Sequence, residues 1–157
     1  MLRNKYGGES LVKRFAALAA ALLAVLFLVA CSGQEAAIAD GTYRAEYEDY
    51  DASGYKDFVE ITFKDGMVVS IEADAVAEDG SFKSEAEGFR DTMQTICGTY
   101  PEKYYKDLIN QYLEHPQSDQ VDVVAGATAT SQNFKALAGA LEQAVRGGNT
   151  DTVVVKR

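Results

Sequence analysis

An uninterrupted apolar run of 16 residues, Phe15 to Ala30, follows a basic stretch containing Arg3, Lys5, Lys13 and Arg14. A membrane-spanning helix needs roughly 20 apolar residues, whereas the apolar core of an export signal is shorter and sits behind basic residues. The pattern predicts a leader, residues 1–30, that takes no part in the fold. What must fold is then 127 of the 157 residues, a length that suits one domain with its own core.

The run ends in Leu28-Val29-Ala30-Cys31, followed by Ser32 and Gly33. This resembles the lipobox of bacterial lipoproteins, and the resemblance implies cleavage before Cys31, which then carries diacylglycerol through a thioether. The alternative is an ordinary signal, cleaved or not, with a cysteine at that boundary by chance. Each buried methylene of an acyl chain contributes about 0.8 kcal/mol, so a multiply acylated Cys31 holds a protein firmly at a membrane.

Charge narrows the choice of partner. The leader takes four of the 15 basic residues and one of the 24 acidic ones, leaving 11 against 23 and a net charge of −12. Nucleic acid and anionic headgroups repel such a chain, which argues against both; attachment to a membrane is expected through lipid. With Cys31 acylated, Cys97 is the only thiol left, so no intrachain disulfide can form, and Cys97 is expected as a small buried side chain, the alternative being a redox thiol. His115, the one histidine, precedes Pro116 without companions suited to metal binding or nucleophilic catalysis. No catalytic residue and no metal site is assigned.

Local patterns supply the elements. Gly41 to Tyr50 reads as a strand with Tyr43, Ala45 and Tyr47 on one side, and Asp57 to Lys64 as a second, with Phe58, Ile61 and Phe63 among charged residues. Asp65-Gly66 stands before the apolar stretch Met67 to Ala73, a strong hairpin signal because the turn needs positive φ. Ala86, Phe89, Met93 and Ile96 or Cys97 recur at helical spacing and stop at Gly98; Pro101 opens a helix to about Glu114 with Tyr104, Leu108, Tyr112 and Leu113 apolar. Val121 to Val124 predicts a short strand. Ser131 to Arg146 predicts a helix with Phe134, Leu137, Ala138, Leu141 and Val145 inward, and Thr152 to Val155 a final strand. This order predicts an α+β fold, a small antiparallel sheet packed with helices.

The chemistry gathers in Asp122-Val123-Val124-Ala125-Gly126-Ala127-Thr128-Ala129-Thr130-Ser131, where no residue from Ala125 to Ser131 is bulky. Small residues let a ligand approach the backbone, and the free N–H groups of a following helix favour an anionic phosphate. Thr128, Thr130 and Ser131 add hydroxyls, although such residues also serve simply as helix caps.

With Asp40-Gly41-Thr42-Tyr43, Gly54-Tyr55-Lys56-Asp57, Lys64-Asp65-Gly66, Asp79-Gly80, Lys83-Ser84 and Gly147-Gly148-Asn149-Thr150 added, nearly the whole of residues 40–157 resembles the FMN-binding domain. That domain occurs in flavin-carrying subunits of sodium-pumping NADH:quinone reductases and Rnf complexes, and in lipoproteins of extracellular electron transfer. The family's attachment motif, Asp-x-x-Ser/Thr-Gly-Ala-Thr, falls on Asp122, Gly126, Ala127 and Thr128. The resemblance implies FMN joined through its phosphate to Thr128 by an exported flavin transferase that uses FAD. Ala125 departs from the motif, standing where a hydroxyl residue is usual.

The expected organisation is thus a lipoprotein signal peptide (1–30), a lipidated tether (31–39) and an FMN-binding domain (40–157). The expected role is an extracytoplasmic, membrane-anchored flavoprotein that passes electrons from a membrane donor to external acceptors, rather than an enzyme with its own dedicated substrate. The alternatives are a noncovalent FMN-dependent reductase and a flavin-free binding or assembly module. Tyr55 and Met93 are considered for the flavin's surroundings; Tyr43, Tyr47, Tyr104 and Tyr112 are assigned to the core.

Overall fold

The computed structural model describes residues 37–157, so the predicted leader and Cys31 lie outside the described residues. Three strands, β1 (Gly41–Tyr47), β2 (Tyr55–Lys64) and β3 (Met67–Ala77), form an antiparallel meander. The β2–β3 connection is the expected two-residue turn, with Asp65 at φ 51° and Gly66 at φ 74°. Both central residues in the left-handed region match the twist of the flanking strands.

Helices α1 (Glu87–Cys97), α2 (Pro101–Glu114) and α3 (Thr128–Arg146) follow, and β4 (Val153–Val155) closes the chain's path. β4 pairs with β1 in parallel, giving the sheet order β3-β2-β1-β4. The architecture is the expected α+β, with the sheet mixed rather than wholly antiparallel. β4 arrives from α3, a helical crossover, and such a connection returns a strand parallel to its neighbour.

One face of the sheet carries the core. Tyr43, Ala45 and Tyr47 of β1, Val59, Ile61 and Phe63 of β2, and Ile71, Ala73 and Ala75 of β3 are buried against Tyr104, Leu108 and Tyr112 of α2 and Phe134, Leu137 and Leu141 of α3. Phe58, grouped with Ile61 by sequence, belongs to the opposite face, since alternate residues point to opposite sides of a strand. It is buried there beneath Arg44, whose guanidinium lies 3.9 Å from the ring centroid, and beside Phe82.

Two helix readings also change. In α2, Leu113 is exposed and Tyr105 is buried in its stead. The Tyr105 hydroxyl donates to Asp57 (3.1 Å), which also accepts from Asn133 of α3 (2.9 Å) and Arg157 (2.9 Å). A buried carboxylate persists only when so partnered, and this one ties β2 to both long helices.

Val121 to Val124 is not a strand. Val121 is buried, and its carbonyl accepts from the Lys135 ammonium; the Asp122 N–H donates to the Gln111 amide oxygen, and the Val124 N–H to the Ser131 hydroxyl. Side chains of α2 and α3 take the place of a neighbouring strand. At the other end of α3, Ile38, Phe63, Tyr112, Val145 and Arg146 line an open cleft of about 410 Å³. Among the described residues no helix is long and apolar enough to cross a membrane.

Candidate functional site

The segment from Asp122 to Ser131 runs straight into α3, which starts at Thr128, three residues earlier than its periodicity suggests. Thr128 is therefore the first residue of a helix rather than part of a loose turn, and its side chain is exposed. Ala127, at the cap position, has no side-chain oxygen to offer, and no side chain caps this end. The first N–H of the turn to bond back is that of Ser131, to the Ala127 carbonyl at 2.9 Å. The N–H groups before it point out of the helix end, where the macrodipole places partial positive charge. No acidic residue occupies the first turn, which matters in a chain holding 24 of them.

Gly126 sets the path into this end. Its φ is 80°, and a Cβ there would lie 2.5 Å from the Cys97 carbonyl oxygen, 3.0 Å from the Thr99 methyl and 3.1 Å from the Cys97 Cβ. Only glycine combines that conformation with that approach. The turn is thus pressed against the junction of α1 and α2, leaving nothing between Thr128 and solvent.

The hydroxyls predicted for the site separate by role. Ser131 is fully buried; its hydroxyl donates to the Ala127 carbonyl (2.8 Å) and accepts from the Val124 N–H (3.0 Å), so it pins the turn. Thr130 is half-buried beside the Tyr104 phenol; burial pushes that phenol well above its ordinary value, a rise that the Thr130 hydroxyl partly offsets. Thr128 alone of the three faces outward in full. Asp122 is exposed and borders a shallow hollow with Gln111, His115 and Gln120, its backbone tied to α2. Ala125 is exposed on the turn itself.

Sequence reasoning missed Thr99. It lies between α1 and α2, is 2% exposed, and its hydroxyl is buried with no hydrogen-bond partner. Native proteins rarely leave such a group unpaired. Nothing in local periodicity marks it, because its interest comes from contact with Gly126, distant in sequence. Tyr55 packs edge-on against Phe89 with the Lys83 ammonium over both rings, and Met93 is half-buried against the core.

An uncapped helix end free of acid and a glycine turn that a Cβ would block together suit the phosphate of a nucleotide-like cofactor. The cleft at the far end of α3 suits one less well: its Glu142 carboxylate is already bonded to the Tyr112 hydroxyl and the Ser118 N–H.

Comparison with known proteins agrees. The profile of the FMN-binding domain matches residues 54–142. A 15 kDa lipoprotein of Treponema pallidum (strain Nichols) is 40% identical over 134 residues, 85% of this chain and 94% of the relative. The crystal structure of a Clostridium perfringens protein, 29% identical, superposes with a TM-score of 0.72 over 76% of this chain and 98% of that one. A solution structure from Clostridium thermocellum, 26% identical, covers 66% of this chain and 89% of its own at a TM-score of 0.45. The chain belongs to the FMN-binding domain family, and FMN is its cofactor.

Proposed function

We propose that this protein is a lipid-anchored flavoprotein of the extracytoplasmic membrane face, carrying FMN on Thr128 and passing electrons from a membrane donor to acceptors outside. The observation that carries this reading is the exposed Thr128 at the uncapped, acid-free start of α3. Such a hydroxyl is open to a transferase, and the phosphodiester it would bear falls where helix N–H groups and the macrodipole favour negative charge. The name of the Treponema relative, a lipoprotein, supports reading Cys31 as the acylated residue.

In the attachment step Thr128 is the nucleophile. Its Oγ1 forms a bond to the phosphorus of the FMN half of FAD as the phosphoanhydride bond breaks. AMP departs with the electron pair, and the threonine proton passes to a base of the exported flavin transferase. This chain contributes presentation: Gly126 holds the turn back against Cys97, Ser131 fixes it to Val124, and the helix end receives the charge. Once bound, FMN supplies one- or two-electron chemistry, to which the protein adds position and electrostatics.

The test is the intact mass of the mature protein, expressed in an exporting host together with a flavin transferase, followed by peptide mapping. Expected is an FMN-sized addition on the peptide containing Thr128, absent from Thr128→Ala, which still folds. An acid-stable adduct persisting in Thr128→Ala overturns the attachment site. Bound but releasable flavin in the parent protein would instead favour a noncovalent carrier and point to Ala125, and a colourless protein would favour a binding or assembly module.

A further inference from the structure

The chain enters the domain at a fixed point. The Tyr43 hydroxyl donates to the Ala39 carbonyl (2.9 Å), and the Asp40 carboxylate accepts from the Asp65 N–H (2.7 Å). Residues 39 and 40 are thus tied to β1 and to the β2–β3 turn, so whatever precedes them starts from beside that turn. Cys31 stands seven residues before Ile38, at most about 25 Å of chain. With Cys31 acylated, this end of the domain stays within that reach of a bilayer.

The surface found there is unlike an ordinary hairpin tip, where small and polar residues prevail. Met67, the first residue after the turn, is 67% exposed. It borders the same open cleft as Ile38, Pro116 and Arg146, so these four belong to one surface. Lys64 is the partner of Met67 across β2 and β3, which sets the two side chains next to each other. Among the described residues neither Lys64 nor Arg146 forms an ion pair. Two of the acids nearby are already engaged, Asp40 with the turn and Glu142 with Tyr112 and Ser118, which leaves Asp65 beside Lys64. An apolar tip flanked by unpaired cations is the pattern of an interfacial anchor, its apolar group below the headgroups and its cations among them.

We infer that this surface docks on the lipid bilayer, Met67 entering the acyl boundary while Lys64 and Arg146 meet headgroup phosphates. The inference rests on the acylation of Cys31. Docking then needs little affinity of its own, because a short tether makes it an intramolecular event at an effective concentration in the millimolar range. The overall negative charge opposes recruitment from solution. Once lipid has placed the domain, screening over about 8 Å leaves the charge at the contact to decide.

Methionine oxidation reads this contact without altering it. The acylated protein is reconstituted in phosphatidylcholine vesicles and treated with chloramine-T, and sulfoxide formation is followed by peptide mass, with Met93 as the internal reference. In water the exposed Met67 oxidises faster than the half-buried Met93. On vesicles Met67 is expected to become the slower of the two, its rate falling about fivefold as the tethered contact stays closed. The double variant Lys64→Glu/Arg146→Glu, altered at two exposed positions, should return Met67 to the faster rate. A Met67 that stays faster in the vesicle-bound parent overturns docking and leaves the anchor standing. So does protection that survives in the double variant, or that fades as fewer copies are loaded per vesicle, which would make the surface a contact between copies. An N-terminal peptide without the mass of diacylglycerol overturns the anchor, and docking with it.

Discussion

Thr99 holds one of its two γ-substituents against Gly126 and leaves the other, the hydroxyl, unanswered. A buried unsatisfied hydroxyl costs about 1–3 kcal/mol, while an apolar group of the same shape costs little. Thr99→Val is therefore expected to stabilise the flavin-free Thr128→Ala protein by about 1 kcal/mol in urea unfolding. The same comparison in flavin-loaded protein tests whether the cofactor reaches this hydroxyl: absence of the gain there would mean that it does. A stabilisation equal in both forms would show that Thr99 never meets the cofactor.

Among elements, the turn at Gly126 is the most constrained. Gly126→Ala places a methyl group against the Cys97 carbonyl in a backbone region that L-residues seldom adopt. A loss of about 1–3 kcal/mol in chemical denaturation is expected, together with poorer flavin loading. Wild-type stability in this variant would mean that the turn relaxes at no cost. Features resting on neighbours in sequence were legible: the Asp65-Gly66 hairpin, the Pro101 helix start and the inner face of α3 follow from short-range rules. What was not legible depended on remote partners. Val121 to Val124 looks like a strand, but Gln111, Ser131 and Lys135 take up its backbone groups. Cys97 was expected inside because the α1 stripe is apolar, yet it is exposed; periodicity reveals an apolar face without revealing what meets it. Thr128 was proposed from a motif, whereas Thr99 became visible only once the α1–α2 junction met the turn.

Across the whole molecule, tyrosines join the core to polar partners. Burial raises the phenols of Tyr104, Tyr105 and Tyr112 above the ordinary value of 10.0, with the Asp57 carboxylate adding to the first two and Glu142 to the third. In the unfolded chain they ionise at the ordinary value, so their contribution is complete below pH 10.0 and is lost as pH rises beyond it. Each adds a slope of about 1.4 kcal/mol per pH unit until its folded value is reached. Alkaline unfolding is expected as one cooperative step, with tyrosinate absorbance and loss of far-ultraviolet circular dichroism coinciding. Buried tyrosines that ionise before the secondary structure is lost would refute this coupling.

The cleft bordered by Ile38 gives the domain a direction. Ile38 lines that cleft with Val145 and Arg146 at the last turn of α3, whereas Thr128 begins the helix 18 residues before Arg146, about 27 Å along its axis. Residue 38 thus lies at one end of α3 and Thr128 at the other, so an acylated Cys31 and an FMN carried on Thr128 would stand at opposite ends of that helix. In the proposed lipid-held flavoprotein, a taut tether would then swing the flavin away from the membrane, like a float on a mooring line.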